Sequence, residues 1–541
     1  MPHRPAIQGE RHMVSSTHYL ASTGGMRILE QGGNAADAGV AAGLCINMVE
    51  THLTQFGGVA PIIFCPASGA SPQTISGLGR WPKAASIDYF RDHTGGDLPP
   101  GILRSVTPAA PDAWITALDR FGTMTFAQVV QPALELVENW PARYVGQKDM
   151  ATTFRRLMEA EAGAGGDRHA GLKAARDLIY QGEIAREIAA FSEQEGGLLR
   201  AEDLADFQVR VEPPEHIDYK GYDVYSCGPW CQGPSLLMAL NILEGFNLEE
   251  MGHNSADYLH VVVETMKLVF SDRHHYFGDP DFVQVPMAGL LCKAYARERA
   301  KAIDFTHAAP DMPAPGDPWP HHPEPRSETG PVPVAKVPGG EYPVTWERDT
   351  AYVCVVDGAG NAFSATPSDP IDWTPVIPGL GFGLSGRGSQ TWLDPDHPSG
   401  LEPGKRPRLT PNPALVLKDG KPLMPFGCPG GDAQVQGMLQ VFLNVVVFGM
   451  DPQAAVEAPR VVSHSFPNSF WPHGSRPGEA VVESRVDAGV RRVLSERGHK
   501  IQDDEAWSGG VSRMCAIFVD PETGMRIGGA DPRGLSYAIG W

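Results

Sequence analysis

The run "HAAPDMPAPGDPWPHHPEPRSETGPVPVAKVPGG" divides this chain into two unequal parts. Proline lacks a backbone N–H and fixes φ, so so dense a run cannot form a helix interior or a central strand. Residues from about 305 to 344 therefore read as a linker or an extended surface strap. The cores of a chain of 541 residues must be built from the segments on either side of it.

The segment that follows changes character abruptly. "TWERDTAYVCVVDGAGNAFSAT", Thr345 to Thr366, reads as an apolar strand, a glycine-containing turn and a second strand. Ala351, Val353 and Val355 alternate with Tyr352, Cys354 and Val356, so both faces of the first strand are apolar. Such a strand is covered on both sides, which predicts a layered α/β architecture. Upstream, "GGMRILEQGGNAADAGVAAGLCINMV" predicts two helices split at Gly-Gly-Asn, with Asn34 or Asp37 as cap. "QFGGVAPIIFC" reads as a glycine turn entering a buried strand, with Gly57-Gly58 as the tight turn. Residues 105 to 300 are expected to be largely helical. One helix runs through "SADYLHVVVETMKLVFSDRHHYF", capped by Ser255. Downstream come a hairpin around Asp419-Gly420 and a buried helix in "MLQVFLNVVVFGM".

Thr350 stands directly at the edge between the charged lead-in and this strand. If the backbone were cut between Asp349 and Thr350, Thr350 would carry a free α-amine. Such an amine titrates at roughly 7.7–8.0, so near neutral pH much of it can act as a base. Nucleophilic hydroxyl and base would then come from one residue. By itself, a threonine at a strand start is ordinary. A second feature is "FGCPGGDAQVQ", where Gly430 and Gly431 form a sharp turn before a helix. Two backbone N–H groups there can receive a developing oxyanion.

Charge and composition narrow the partners. A formal net charge of −20 argues against nucleic acid and against anionic membranes. The N-terminus lacks the apolar core of a signal peptide, and the apolar stretch near Ala38 to Val49 is too short to span a bilayer. A cytoplasmic location is therefore expected. The eight cysteines are scattered, and only Cys227 and Cys231 lie close together, as C-x3-C. Thiols are expected rather than disulfides or zinc. His274-His275 and His321-His322 have no third ligand at metal spacing and read as helix and linker residues. No metal and no cofactor are expected.

Taken together, these blocks resemble the γ-glutamyltransferase family of N-terminal nucleophile hydrolases. The resemblance covers nearly the whole chain. It rests on "EQGGNAADAGVAA", "FGTMTFAQVVQPALELVENW", "YKGYDVYSCGPWCQGPSLLMALNILEGF", "VVETMKLVFSDRHHYFGDPDFV", "DTAYVCVVDGAGNAFSAT", "PNPALVLKDGK", "GCPGGDAQVQGMLQVFLNVVVFGMDPQAAVEAPR" and "GGADPRG". It implies a four-layer αββα sandwich made as one chain and self-cleaved between Asp349 and Thr350. The products would be a large subunit, residues 1–349, and a small subunit, residues 350–541, held as a heterodimer that can assemble further. It implies Thr350 as nucleophile, Ser368 as a neighbouring hydroxyl, and Gly430 and Gly431 as oxyanion hole. The substrate would be a small-molecule amide, with water or an amine as acceptor.

The departures from the family pattern cluster on substrate recognition. Ile87 stands where the family has a carboxylate-binding Arg, and Arg80 is seven residues away. Gln390 replaces the acid that holds the α-amine. Leu409-Thr410 replaces a Ser-Ser pair, and Pro370 an Asn. Thr410 and Asn412 remain as candidate substrate contacts, and Arg387 is an added cation. This pattern predicts retained chemistry with a changed acyl group, one bearing a carboxylate such as an oxalyl-like or glutaryl-like group. A conventional γ-glutamyl or glutathione hydrolase and an uncleaved, non-catalytic paralogue are the alternatives.

Overall fold

The computed structural model describes residues 3–140, 144, 146–327 and 349–541. Two seven-stranded sheets form its centre. In the first, the strands run in the order Tyr537–Gly540, Met13–Ser16, Val353–Val356, Ala362–Ala365, Ile62–Cys65, Gln73–Ile75 and Val211–Glu212. In the second, the order is Ile7–Gly9, Arg526–Ala530, Cys515–Val519, Lys421–Gly427, Ala414–Lys418, Tyr222–Ser226 and Glu215–Tyr219.

Three apolar cores separate four layers. The outer face of the first sheet packs on helices that include Tyr19–Glu30, Ala35–Val49 and Ala110–Phe121. The outer face of the second packs on Gly233–Leu243, Ala256–Tyr276 and Ala433–Val446. Between the sheets lies a third core containing Met13, Ile63, Tyr352, Cys354, Val356, Leu415, Cys515 and Ile517. This is an αββα sandwich. Ala351, Val353 and Val355 face the helices while Tyr352, Cys354 and Val356 face the other sheet, as the alternation in the sequence requires. The eight cysteines are free thiols, and no metal-holding group occurs among the described residues. Among those residues no helix is long and apolar enough to cross a membrane.

Local signals act as expected at several places. Asn34 caps the Ala35–Val49 helix, and Asp37 answers from its third position in a capping box. Ser255 caps Ala256–Tyr276. Asp419 and Gly420 both take positive φ, 51° and 73°, the turn that a tight hairpin needs.

The proline-rich strap is more engaged than a linker. Its described part, up to residue 327, covers the polar face of the Ala256–Tyr276 helix. Ala309 N–H donates to Glu264 at 3.0 Å, Ser271 to the Pro313 carbonyl at 2.6 Å, and Gly316 N–H to Asp272 at 2.9 Å. That helix is consequently buried around nearly its whole circumference. Residues 328–344 of the sequence-defined linker lie outside the described residues.

Both sheets combine strands from before residue 349 with strands from after residue 350. Val353–Val356, for example, is bonded to Met13–Ser16, and Ala362–Ala365 to Ile62–Cys65. A cut between the two parts would leave these ladders intact.

Buried imidazoles make stability depend on acid. Burial pushes His464 and His473 down to about 4, against about 6.5 for free imidazole. Between those values the unfolded chain binds protons that the folded chain does not. Stability should therefore fall as pH drops from 6.5 towards 4. Denaturant midpoints at pH 7 and pH 4.5 check this, and a His464→Gln, His473→Gln double variant should show a shallower fall.

Candidate active site

Thr350 lies just before the central strand, fully buried. Its N–H donates to the Leu53 carbonyl at 2.8 Å, and Ala351 N–H donates to Pro367 at 2.8 Å. These bonds bring Thr350 beside the chain that leaves the second strand of the hairpin. There Ser368 is clipped to Val59 by two backbone bonds, 2.9 and 3.3 Å. Gly58 permits that approach, because a Cβ at this position would stand 2.2 Å from the Ser368 carbonyl oxygen. Gly57-Gly58 is thus a close-packing turn against the Ser368 backbone.

The side chains then meet. Thr350 Oγ1 and Ser368 Oγ are 2.7 Å apart. Ser368 Oγ donates to Asp349 Oδ2 at 3.2 Å. Arg387 Nη2 donates to both Asp349 Oδ2 and Ser368 Oγ. Arg387 Nε faces Asp369 Oδ1 at 2.5 Å, and Ser385 donates to the same carboxylate at 2.5 Å. The Arg387 guanidinium also lies 5.1 Å from the Trp373 ring centroid and 5.7 Å from that of Phe470. Thr350 has φ 99°. For a β-branched residue this region is sterically disfavoured, at a cost of roughly 1–3 kcal/mol.

Arg387 is a fully buried cation shared by two carboxylates, Asp349 and Asp369. Burial opposes its charge, yet the two acids raise its pKa above the ordinary value. Asp369 is itself raised, mainly by burial and despite Arg387. Taking Arg387 away would leave two acids buried and unpaired, a loss of about 3–5 kcal/mol for a broken buried pair.

The glycine turn lies alongside. Gly430 lines the same cavity as Asp349, together with Pro429, Gly509, Arg513 and Arg533. Gly430 and Gly431 have φ of 127° and 54°, conformations that glycine supplies without a Cβ penalty. Among the described residues, neither N–H donates a hydrogen bond to protein. The turn is held from below by Gln232, whose Nε2 donates to the Gly431 and Thr410 carbonyls, each at 2.8 Å. Gln232 Oε1 accepts from Arg273 at 2.8 Å, and Arg273 pairs with Asp432. Burial would raise the Asp432 carboxyl, but Arg273 and the Ser469 bonds hold it below its usual range.

Gln390 and Thr410 are bonded to each other. Gln390 Nε2 donates to Thr410 Oγ1 at 2.8 Å and its Oε1 accepts from Thr410 N–H at 3.2 Å. Asn412 is buried against Met438, and its Oδ1 has no partner among the described residues. Ile87 opens the Ile87–Thr94 helix and packs on the cluster that contains Trp81 and Phe90, as does Trp471. Trp81 covers Gly388, so this cluster abuts the Arg387 segment. Arg80 is surrounded by Arg406, Arg210, Asp279 and Asp281. Asp369, Ser385, Gln232 and the Arg273–Asp432 pair escape the sequence reading. Asp369 sits in "PSDPIDW", which reads as a turn, and Gln232 in "CQGPS", which reads as a helix entry.

The whole arrangement has relatives. The model of the gamma-glutamyltranspeptidase family matches residues 21–140 and 141–541. The glutathione hydrolase-like YwrD proenzyme of Bacillus subtilis is 30% identical, over 99% of this chain and 99% of its own. Among solved structures, LmbA2991HD superposes with a TM-score of 0.89 at 35% identity, covering 100% of both chains. The cephalosporin acylase of Bacillus halodurans superposes with a TM-score of 0.81 at 29% identity, covering 100% of this chain and 98% of that one. With matches of this extent on a shared two-sheet sandwich, the chain belongs to the gamma-glutamyltranspeptidase family and is a hydrolase/acyltransferase of that kind.

Proposed function

We propose that this enzyme cleaves an amide through an acyl-Thr350 ester, after cutting itself between Asp349 and Thr350, and that the acyl group carries one carboxylate and no α-amine. The proenzyme names of its relatives support the processing step. In the cut enzyme the Thr350 α-amine serves as base for its own hydroxyl. Gly430 and Gly431 N–H groups receive the oxyanion, and Ser368 holds the Thr350 hydroxyl. Water or an amine then resolves the ester.

One observation carries the specificity. In the uncut chain the partner of Arg387 Nη2 is the Asp349 carboxylate, which belongs to the residue that departs on cleavage. Its departure leaves Asp369 as the one carboxylate on Arg387 and opens a carboxylate position beside Thr350 and Ser368. Ile87 offers no donor for a glutamyl α-carboxylate, and neutral Gln390 is committed to Thr410. Burying an unpaired ammonium costs several kcal/mol, roughly a thousandfold or more in affinity.

A panel of anilides with matched acyl lengths tests this. Acyl groups with a single terminal carboxylate should be hydrolysed well, and γ-glutamyl anilide and glutathione poorly. Arg387→Lys keeps a cation for Asp369 but loses the fork. It should lower kcat/KM for the carboxylate substrates at least tenfold. Efficient glutathione hydrolysis, unaffected by Arg387→Lys, would establish the conventional γ-glutamyl reading instead.

A further inference from the structure

The cut itself poses a chemical problem. In the mature enzyme the α-amine of Thr350 can serve as base. Before the cut that nitrogen is a peptide nitrogen, its lone pair delocalised into the carbonyl, and it cannot accept a proton. It is instead a donor, to Leu53. The uncut chain therefore needs a different base to activate the Thr350 hydroxyl.

Donor and acceptor bookkeeping identifies one. An ionised carboxylate only accepts, a hydroxyl donates once and accepts twice, and a guanidinium only donates. Asp349 Oδ2, beside the Arg387 guanidinium, accepts from Ser368 Oγ at 3.2 Å. That uses the only proton of Ser368. Ser368 Oγ also receives Arg387 Nη2. Its remaining contact, Thr350 Oγ1 at 2.7 Å, must then be one in which Thr350 donates. With Ser368 donating to Asp349, the chain runs from the Thr350 hydroxyl to the Ser368 hydroxyl to the Asp349 carboxylate. The lone pairs of Thr350 Oγ1 are left for the adjacent carbonyl carbon. Asp349 Oδ1 is buried with no partner among the described residues, so this carboxylate has spare accepting capacity.

We propose that Asp349 is a single-use base for the cleavage of its own peptide bond, acting through Ser368. This rests on the reading of Thr350 as nucleophile. Thr350 Oγ1 attacks the Asp349 carbonyl carbon. Its proton passes to Ser368 Oγ as the Ser368 proton passes to Asp349 Oδ2. On collapse the C–N bond breaks, and the proton held by the Asp349 carboxyl is delivered to the Thr350 nitrogen, which becomes the amine. Water then hydrolyses the Asp349–Thr350 ester, leaving an α-carboxylate on Asp349 and restoring the Thr350 hydroxyl. Asp349 departs with residues 1–349, and the new amine takes over as base. The disfavoured φ of Thr350, 99°, is carried only while the peptide is intact.

The test uses full-length protein followed by intact mass against time, with thermal transitions to check folding. Asp349→Asn keeps shape and accepting oxygen but cannot take a proton at neutral pH. It should slow cleavage by at least about a hundredfold, the scale of general base catalysis. Asp349→Gly should also stay uncut, and added acetate, which replaces the deleted group, should restore cleavage. Chloroacetate, similar in size and less basic, should restore it more slowly. A merely structural role would not follow the basicity of the added acid. Cleavage of Asp349→Asn at the wild-type rate, or a folded Asp349→Gly that no carboxylate rescues, would overturn the proposal while leaving Thr350 as nucleophile. Wild type that is not cut before Thr350 would instead remove the reading beneath it.

Discussion

Thr350→Ala is expected to purify as one folded, inactive chain of 541 residues. The substitution removes only the hydroxyl and one methyl, and the site around it is already held by backbone bonds to Leu53 and Pro367. The sheets should therefore form normally. What disappears is the atom that would attack the Asp349 carbonyl in the precursor and the amide carbonyl in the mature enzyme. Both processing and turnover should fall together to background. Thr350→Ser retains the hydroxyl and should still be cut, more slowly, because loss of the methyl frees χ1. A Thr350→Ala protein that is cut, or that hydrolyses the amide while intact, would remove Thr350 from the chemistry.

The second large effect is expected at Gly431. Proline there would delete an N–H and demand a φ near −65°, against the 54° seen. Gly431 is also anchored through its carbonyl to Gln232 and to the first turn of the Ala433–Val446 helix, at Gln434. The turn cannot adapt without moving both. A lost oxyanion donor costs about 10²–10³ in kcat. Gly431→Pro should show that loss with KM little changed, since the interaction grows in the transition state. A variant that folds, processes and turns over like wild type would exclude Gly431 from the oxyanion site.

What was legible in the sequence follows from how local each signal is. Asn34, Ser255 and the Asp419-Gly420 turn act over a few residues, so type and position sufficed. The buried strand after Thr350 declared itself through two apolar faces, which only a covered strand tolerates. The partners of Arg387 were not legible. Asp349 precedes it by 38 residues and Asp369 by 18, and the pairing depends on how the chain after Ala365 folds back over Val59. An aspartate before proline looks like a turn residue whether or not it is buried. Gln232 was hidden for a related reason. Its role comes from three distant segments, those of Arg273, Thr410 and Gly431, converging on one amide. The Ala256–Tyr276 helix showed apolar spacing but not the fate of its charged residues, because the strap that covers them lies further along the chain.

The most direct measurement is the intact mass of the purified wild-type protein, before and after acid quench of a reaction with a carboxylate-bearing amide. Two chains should appear, residues 1–349 and residues 350–541, and on quenching the second alone should gain the mass of the acyl group. Peptide mapping should place that gain on Thr350. A single uncut chain that hydrolyses the amide, or an acyl group carried by the first fragment, would contradict the account.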